Sequence, residues 1–152
     1  LEKNLSLDNF IHGTHSCTDK ERKDWRIFKN TNSIIKLIDL IPIIAGREAI
    51  LVKHTDIAWK AEGLTRVINR ERYDSCNINF PGILAENTLN PDNRRYRMVD
   101  GSHRLNKKIL EYDMTESLFY IITKEEFYSV LRDYKTGKKY ESDFIKQNLY
   151  AS

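Results

Sequence analysis

Cysteine is scarce in this chain: Cys17 and Cys76 are the only two in 152 residues. Two thiols so far apart cannot form the disulfide framework of a small secreted domain, so a reducing, cytoplasmic setting is expected. Long apolar runs are also missing. The longest, Leu37 to Ala45, contains Asp39 and Pro42 and falls well short of the roughly 20 residues that cross a bilayer, so no membrane partner is expected. Leu1 to Asp8 carries Glu2 and Asp8 and lacks the basic-then-apolar order of a secretory signal. The chain opens on Leu1 rather than Met, which suggests a trimmed start. Neither charge sign dominates: 25 basic against 22 acidic residues leave +3, too little to announce nucleic-acid binding by itself. Internal repeats and low-complexity tracts are absent from the sequence.

What is present is enough for one folded domain. Hydrophobic residues make up 40% of the chain and charged residues 31%, the balance of a soluble globular protein. Asp19 to Phe28 reads as a short helix with Thr18 as its N-cap. From Ile34 to Ile44 the β-branched run reads as a buried strand that exits near Pro42 and Gly46. Ile50-Leu51-Val52 favours a strand, and Asp56 to Arg72 a helix. Ile83-Leu84-Ala85 reads as a second core strand, and Asn90-Pro91-Asp92-Asn93 is turn chemistry that predicts a hairpin return. That return is Tyr96, Met98 and Val99; Gly101 breaks it, and Leu105, Ile109 and Leu110 then fall at helical spacing. Leu118 to Ile122 is another strand. Thr123-Lys124-Glu125-Glu126 reads as a capping box opening a helix through Leu131. Lys135 to Lys139 forms a basic turn around Gly137, and Tyr140 to Tyr150 an amphipathic terminal helix. Strands interleaved with helices predict an α+β class, a small mixed sheet flanked by helices.

One stretch concentrates chemistry. Tyr96-Arg97-Met98-Val99-Asp100-Gly101-Ser102-His103-Arg104-Leu105 places donors and one acid where a strand ends and a helix begins. The unpaired amides of a first helical turn and its partial positive charge bind phosphate. Gly101 permits close approach, Ser102 and His103 offer a hydroxyl and an imidazole, and Arg104 can grip phosphate oxygens with two parallel bonds. Arg97 is a further phosphate contact. Alternation along the strand sets Arg97 and Val99 on one face and Tyr96, Met98 and Asp100 on the other. An acid such as Asp100 belongs beside phosphate when it binds Mg²⁺ or takes a proton from an attacking hydroxyl. From Arg94 to Lys108 there are six basic residues (Arg94, Arg95, Arg97, Arg104, Lys107, Lys108) against Asp100 alone, a concentration of positive charge.

This stretch, with its surrounding strand and helix order, resembles the signature of the ParB/sulfiredoxin superfamily: a glycine followed by a His/Arg or Arg/Arg pair at a strand-to-helix turn. The resemblance covers the middle and later two thirds of the chain. It implies a ParB/sulfiredoxin-like domain at 33–134, an N-terminal extension at 1–32 packing on it, and a C-terminal helical extension at 135–152. It also implies binding of ATP or CTP with Mg²⁺ at Gly101, Ser102, His103, Arg104 and Arg97. Ser102 stands where sulfiredoxins have cysteine, and a hydroxyl cannot form their sulfur intermediates, so sulfinic-acid reduction is disfavoured. The 48 residues after Arg104 leave no room for the further domains of a chromosome-partitioning clamp. The Asp-Gly-x-His-Arg form is most similar to the superfamily's small-molecule kinases and ATPases. Their catalytic Glu, following the first strand, matches Glu48 by position.

The expected activity is therefore an ATP-dependent phosphotransferase or NTPase, with Asp100, Glu48 and His103 catalytic and Asp100 the metal ligand. The alternatives are a nucleotide-switched module touching DNA through Arg94 to Lys108, or a metal-dependent nuclease using Asp100 and Glu48. His12, His15, Cys17 and Cys76 make only a weak Zn²⁺ set, because the fourth ligand is remote. Trp25, Phe28 and Trp59 read as core aromatics rather than base-stacking ones. Lys135-Thr136-Gly137-Lys138-Lys139 lacks the preceding glycine and strand of a phosphate loop.

Overall fold

The computed structural model describes residues 21–23, 33–58, 78–88 and 93–148. Within them the chain is an α+β structure with two sheets. In chain order the elements are β1 (Glu21–Lys23), β2 (Ser33–Lys36), α1 (Leu37–Ile44), β3 (Ile50–Lys53) and β4 (Ile57–Ala58), the last two joined by a 3-10 turn at His54–Asp56. Then come β5 (Gly82–Glu86), β6 (Tyr96–Asp100), α2 (Ser102–Tyr112), β7 (Glu116–Ile122), α3 (Lys124–Val130), β8 (Arg132–Asp133) and α4 (Ser142–Asn148). The larger sheet runs β3-β7-β5-β6-β4, and the smaller runs β1-β2-β8.

β5 occupies the centre of the larger sheet, antiparallel to β6 and parallel to β7. Its residues divide between two cores. Ile83 and Ala85 join a cluster with Leu37, Leu40 and Ile44 of α1 and Phe127 of α3, whereas Leu84 joins Val52, Met98, Leu105 and Phe119. A strand covered on both faces must be apolar at consecutive positions, which is why Ile83-Leu84-Ala85 shows no alternation. α1 and α3 therefore cover one face of the sheet, and Leu105 of α2 is buried on the other. Among the described residues no helix is long and apolar enough to cross a membrane.

Three expectations need correction. The run from Ile34 to Ile44 is a strand only as far as Lys36; Leu37–Ile44 is helical despite Pro42. Leu37, Leu40 and Ile44 are buried at i, i+3 and i+7 while Ile38 faces solvent, so tertiary burial of one stripe overrides β-branched propensity. The helix ends with the Ala45 amide donating to the Ile41 carbonyl and Gly46 at φ +81, a left-handed exit that glycine takes without strain. Part of the expected helix from Asp19 to Phe28 is instead strand β1, paired with β2. Asp56, the expected start of a helix through Arg72, closes the 3-10 turn, and Ile57–Ala58 pair with β6; residues 59–77 lie outside the described residues. So do His12, His15, Cys17, Cys76, Trp25, Phe28 and Trp59.

The expected capping box is present. Glu126 N–H donates to Thr123 Oγ1 at 3.1 Å and Thr123 N–H to Glu126 Oε1 at 2.9 Å. The same carboxylate takes a fork from Arg47, whose Nη1 also donates to the Ile121 carbonyl at 3.0 Å. One acid thus caps α3 and ties it to the α1–β3 connection. The Arg47 hydrogen bond holds Glu126 below its ordinary pKa of 4.5, helped by the Thr123 amide. Because the folded value is the lower one, this stabilisation is complete above the unfolded glutamate range and is lost as pH falls through it. Thr123→Ala should cost about 1 kcal/mol in chemical denaturation. Glu126→Gln should flatten the acid limb of stability below about pH 4.5 relative to the parent.

Candidate functional site

The strand-to-helix junction expected at residues 96–104 is where the sequence placed it. β6 ends at Asp100, Gly101 takes φ +112, and Ser102 opens an eleven-residue helix, α2. The N-cap position is Gly101 itself, which has no side chain with which to cap the helix. Ser102 and His103 are its first two residues, and their side chains lie outside what the structure describes.

Asp100 and Arg104 meet. Arg104 Nη2 donates to Asp100 Oδ2 at 3.0 Å, and both side chains are only 2% exposed. The guanidinium carbon stands 5.5 Å from the centre of the Phe80 ring, within reach of a cation–π attraction. Arg104 also folds over the turn itself. A Cβ placed on Gly101 would lie 3.1 Å from Arg104 Nη2 and 3.1 Å from the Gly82 Cα. On the neighbouring strand, a Cβ on Gly82 would come within 2.7 Å of the Asp100 carbonyl oxygen and 3.0 Å of the Phe119 ring. Two glycines back to back thus let β5, the end of β6 and the Arg104 guanidinium close on one another. A register shift between Ile83 and Leu84 accompanies this approach, so that Ile83 faces Asp100 while Leu84 faces Met98.

The other candidates stand elsewhere. Arg97 pairs in register with Ala85, is 8% exposed, and holds its guanidinium carbon 5.8 Å from the centre of the Phe127 ring of α3. Glu48 is exposed in the connection between α1 and β3. It does not follow the first strand, as the match by position required, because α1 intervenes. β3 and β6 are separated by β7 and β5, three strand spacings or about 14 Å. Among the described residues no group of three or more His, Cys, Asp or Glu is placed to hold a metal ion. Asp100 alone suits Mg²⁺ only where substrate phosphates and water supply most ligands.

The basic stretch is less superficial than its composition. Arg97, Arg104 and Lys108 are buried, the last with its ammonium 5.6 Å from the centre of the Phe119 ring. Arg95 is exposed but bonded to Glu86 at 2.8 Å, and Arg94 donates to the Thr55 carbonyl.

Phe80 and Gly82 belong to this neighbourhood and were not read from the sequence, and Lys108 was read only as part of the basic stretch. The Asp100–Arg104 pair was not read from the sequence, where each residue stands separately as a phosphate-site group, although the Asp-x-x-x-Arg spacing is a signal that could have found it. Phe80 and Gly82 gave no such signal, because Pro81-Gly82 reads as an ordinary turn. No protein-family model matches the chain, and neither does any curated protein or solved structure.

A buried pair that loses one partner leaves a charge without its counter-ion, a cost of about 3–5 kcal/mol, whereas replacing both by apolar groups of similar size is nearly neutral. Asp100→Leu and Arg104→Met should each destabilise by that order, and the double variant by clearly less than their sum, as read from denaturation midpoints. Gly101→Ala should cost about 1–3 kcal/mol, because an alanine is strained at this φ and its methyl meets Gly82.

Proposed function

We propose that the Gly101 turn binds the phosphates of a nucleotide, ATP or CTP with Mg²⁺. On this reading the chain is a phosphotransferase or NTPase of ParB/sulfiredoxin-like type. The observation that carries it is the start of α2 directly behind a left-handed glycine N-cap, with Arg104 folded over the same turn. Amides with partial positive charge and a guanidinium then converge on one small volume, which is what an oxyanion needs. The resemblance of Asp100 to Arg104 to the superfamily's motif adds the nucleotide.

Asp100 has a conditional role in this scheme. While it is bonded to Arg104 its carboxylate is committed. A phosphate that draws the guanidinium away releases that carboxylate toward the reacting end of the ligand. There it takes the proton of an acceptor hydroxyl or water as that oxygen attacks the terminal phosphorus and the bond to the bridging oxygen breaks. Mg²⁺, when bound with the nucleotide, supplies charge neutralisation between the phosphates. His103 and Ser102, at the first turn of α2, are the further phosphate-facing candidates. Arg97, above Phe127, reaches the ligand only by leaving that ring. Glu48 as the base would need a large rearrangement, since two strands intervene.

Readings based on DNA draw less support. The stretch expected to track a phosphate backbone exposes mainly Arg94 and Arg95, both already hydrogen-bonded within the protein. A nuclease built on Asp100 and Glu48 meets the separation just described.

At a hundred times Kd a nucleotide adds about 2.7 kcal/mol to stability, a rise of roughly 5–10 °C in Tm for a chain of this size. ATP or CTP with Mg²⁺ should produce such a shift, and phosphate release should accompany it. Asp100→Asn should retain the shift and lose turnover, whereas the folded Asp100→Leu/Arg104→Met double variant should lose both. No shift with any nucleotide at millimolar concentration would overturn this reading, and normal turnover in Asp100→Asn would remove Asp100 from the chemistry.

A further inference from the structure

α2 has a second anchored end. Beyond Tyr112 the chain turns through Asp113 at φ +53, whose amide donates to the Lys108 carbonyl; the Met114 amide donates to the same oxygen at 3.1 Å. Thr115 then leads into β7. This turn is fastened from the opposite side by His54, which directly follows β3. The His54 amide donates to the Thr115 carbonyl at 2.9 Å, and its Nε2 lies 2.8 Å from Ser117 Oγ. His54, Ser117 and Lys108 are 8%, 4% and 4% exposed. An imidazole, a hydroxyl and an ammonium group are thus enclosed where β3, β7 and the end of α2 meet.

We propose that His54 is a pH-sensitive latch that holds the C-terminal end of α2 against β3 and β7 while its ring is neutral and loosens that end when the ring is protonated. Charge rather than loss of the hydrogen bond drives the release, because the Ser117 hydroxyl can donate to a neutral ring nitrogen or turn to accept from a charged one. Protonation instead adds a second positive charge beside buried Lys108. Nδ1 is itself buried and completes no hydrogen bond; the Met114 backbone lies where it would favour a charged ring, but by less than burial and Lys108 oppose it, so a charged N–H there would be poorly compensated. Around the ring, α2 contributes Lys108 and β7 contributes Glu116. Lys53 and Asp56 flank His54 in its own segment, Lys53 being the register partner of Glu116. Burial lowers the His54 pKa from its ordinary 6.5 and Lys108 lowers it further; the Met114 backbone and Glu116 oppose this more weakly.

The direction of the pH effect follows. The unfolded chain takes up the proton first, so the His54 contribution to stability is complete above 6.5 and is lost as pH falls from there to the folded value. For each unit of depression the folded-to-unfolded ratio drops about tenfold across that window. The inference stands whether or not the Gly101 turn binds nucleotide. If it does, acid reaches that site through α2, which carries the turn at its other end.

The test is a ring-proton NMR titration of the full chain, combined with denaturation and amide exchange at pH 7.5 and 5.5. His54 should titrate below 6.5, and amide protection near 105–117 should fall selectively at pH 5.5. Lys108→Met should move the His54 titration upward, toward 6.5. His54→Gln should remove this part of the pH dependence. His54 titrating at or above 6.5, or an unchanged pH profile in His54→Gln, would overturn the latch. Should His54→Gln fail to fold, the titration of the parent chain and of Lys108→Met decides.

Discussion

A carboxylate and a guanidinium withdrawn from water remain charged only if each is held where the other can satisfy it. Asp100 and Arg104 meet that condition at 2% exposure, and the requirement propagates outward. Asp100 is fixed as the last residue of β6, and Arg104 is the third residue of α2. A left-handed glycine joins them at the angle that lets the guanidinium fold back over the turn. Gly82 on the adjacent strand then has to be bare, because any side chain there would run into the Asp100 carbonyl. The shifted register between β5 and β6 and the Phe80 ring under Arg104 are both arranged around that pair.

The two faces of the sheet have unequal surroundings: α1 and α3 cover one, with Phe144 and Ile145 of α4 packed against the same cluster, and α2 lies on the other. The α1 and α3 side is mostly apolar, with the buried Arg97 guanidinium over Phe127, and is fastened at its edge by the Arg47–Glu126 fork. Beneath α2 the core is mixed: Leu105 and Phe119 share it with Lys108, His54 and Ser117. Buried charge costs solvation free energy that apolar contact does not, and such groups are common where a protein binds or responds. α2 therefore joins two chemically loaded ends, an ion-paired turn at its start and an enclosed imidazole at its finish.

Reading the sequence went furthest where one local rule was enough. Thr123 and Glu126 announced their capping box because its partners lie three residues apart. Gly101 announced the break between β6 and α2, and Ile83 to Ala85 announced a strand buried on both sides. It failed where neighbours remote in sequence decide. Leu37 to Ile44 has the composition of a strand, yet it is helical because the sheet offers a groove for one stripe of its side chains. Asp19 to Phe28 was read as a helix on capping alone, whereas Glu21–Lys23 pairs with β2. Glu48 was placed near Asp100 by analogy of order, and two intervening strands separate them.

By itself the sequence determined the α+β class and the Asp-Gly-x-His-Arg corner, since these rest on backbone preference and short-range spacing. Only the tertiary structure decided which of the basic residues are buried and which face water. It also set Phe80 beneath Arg104, placed Gly82 against the Asp100 carbonyl, and brought His54 to Ser117 across 63 residues. Those outcomes depend on strand order and on which side chains the sheet excludes from solvent. Both come from contacts between segments far apart in the chain, which no local pattern encodes.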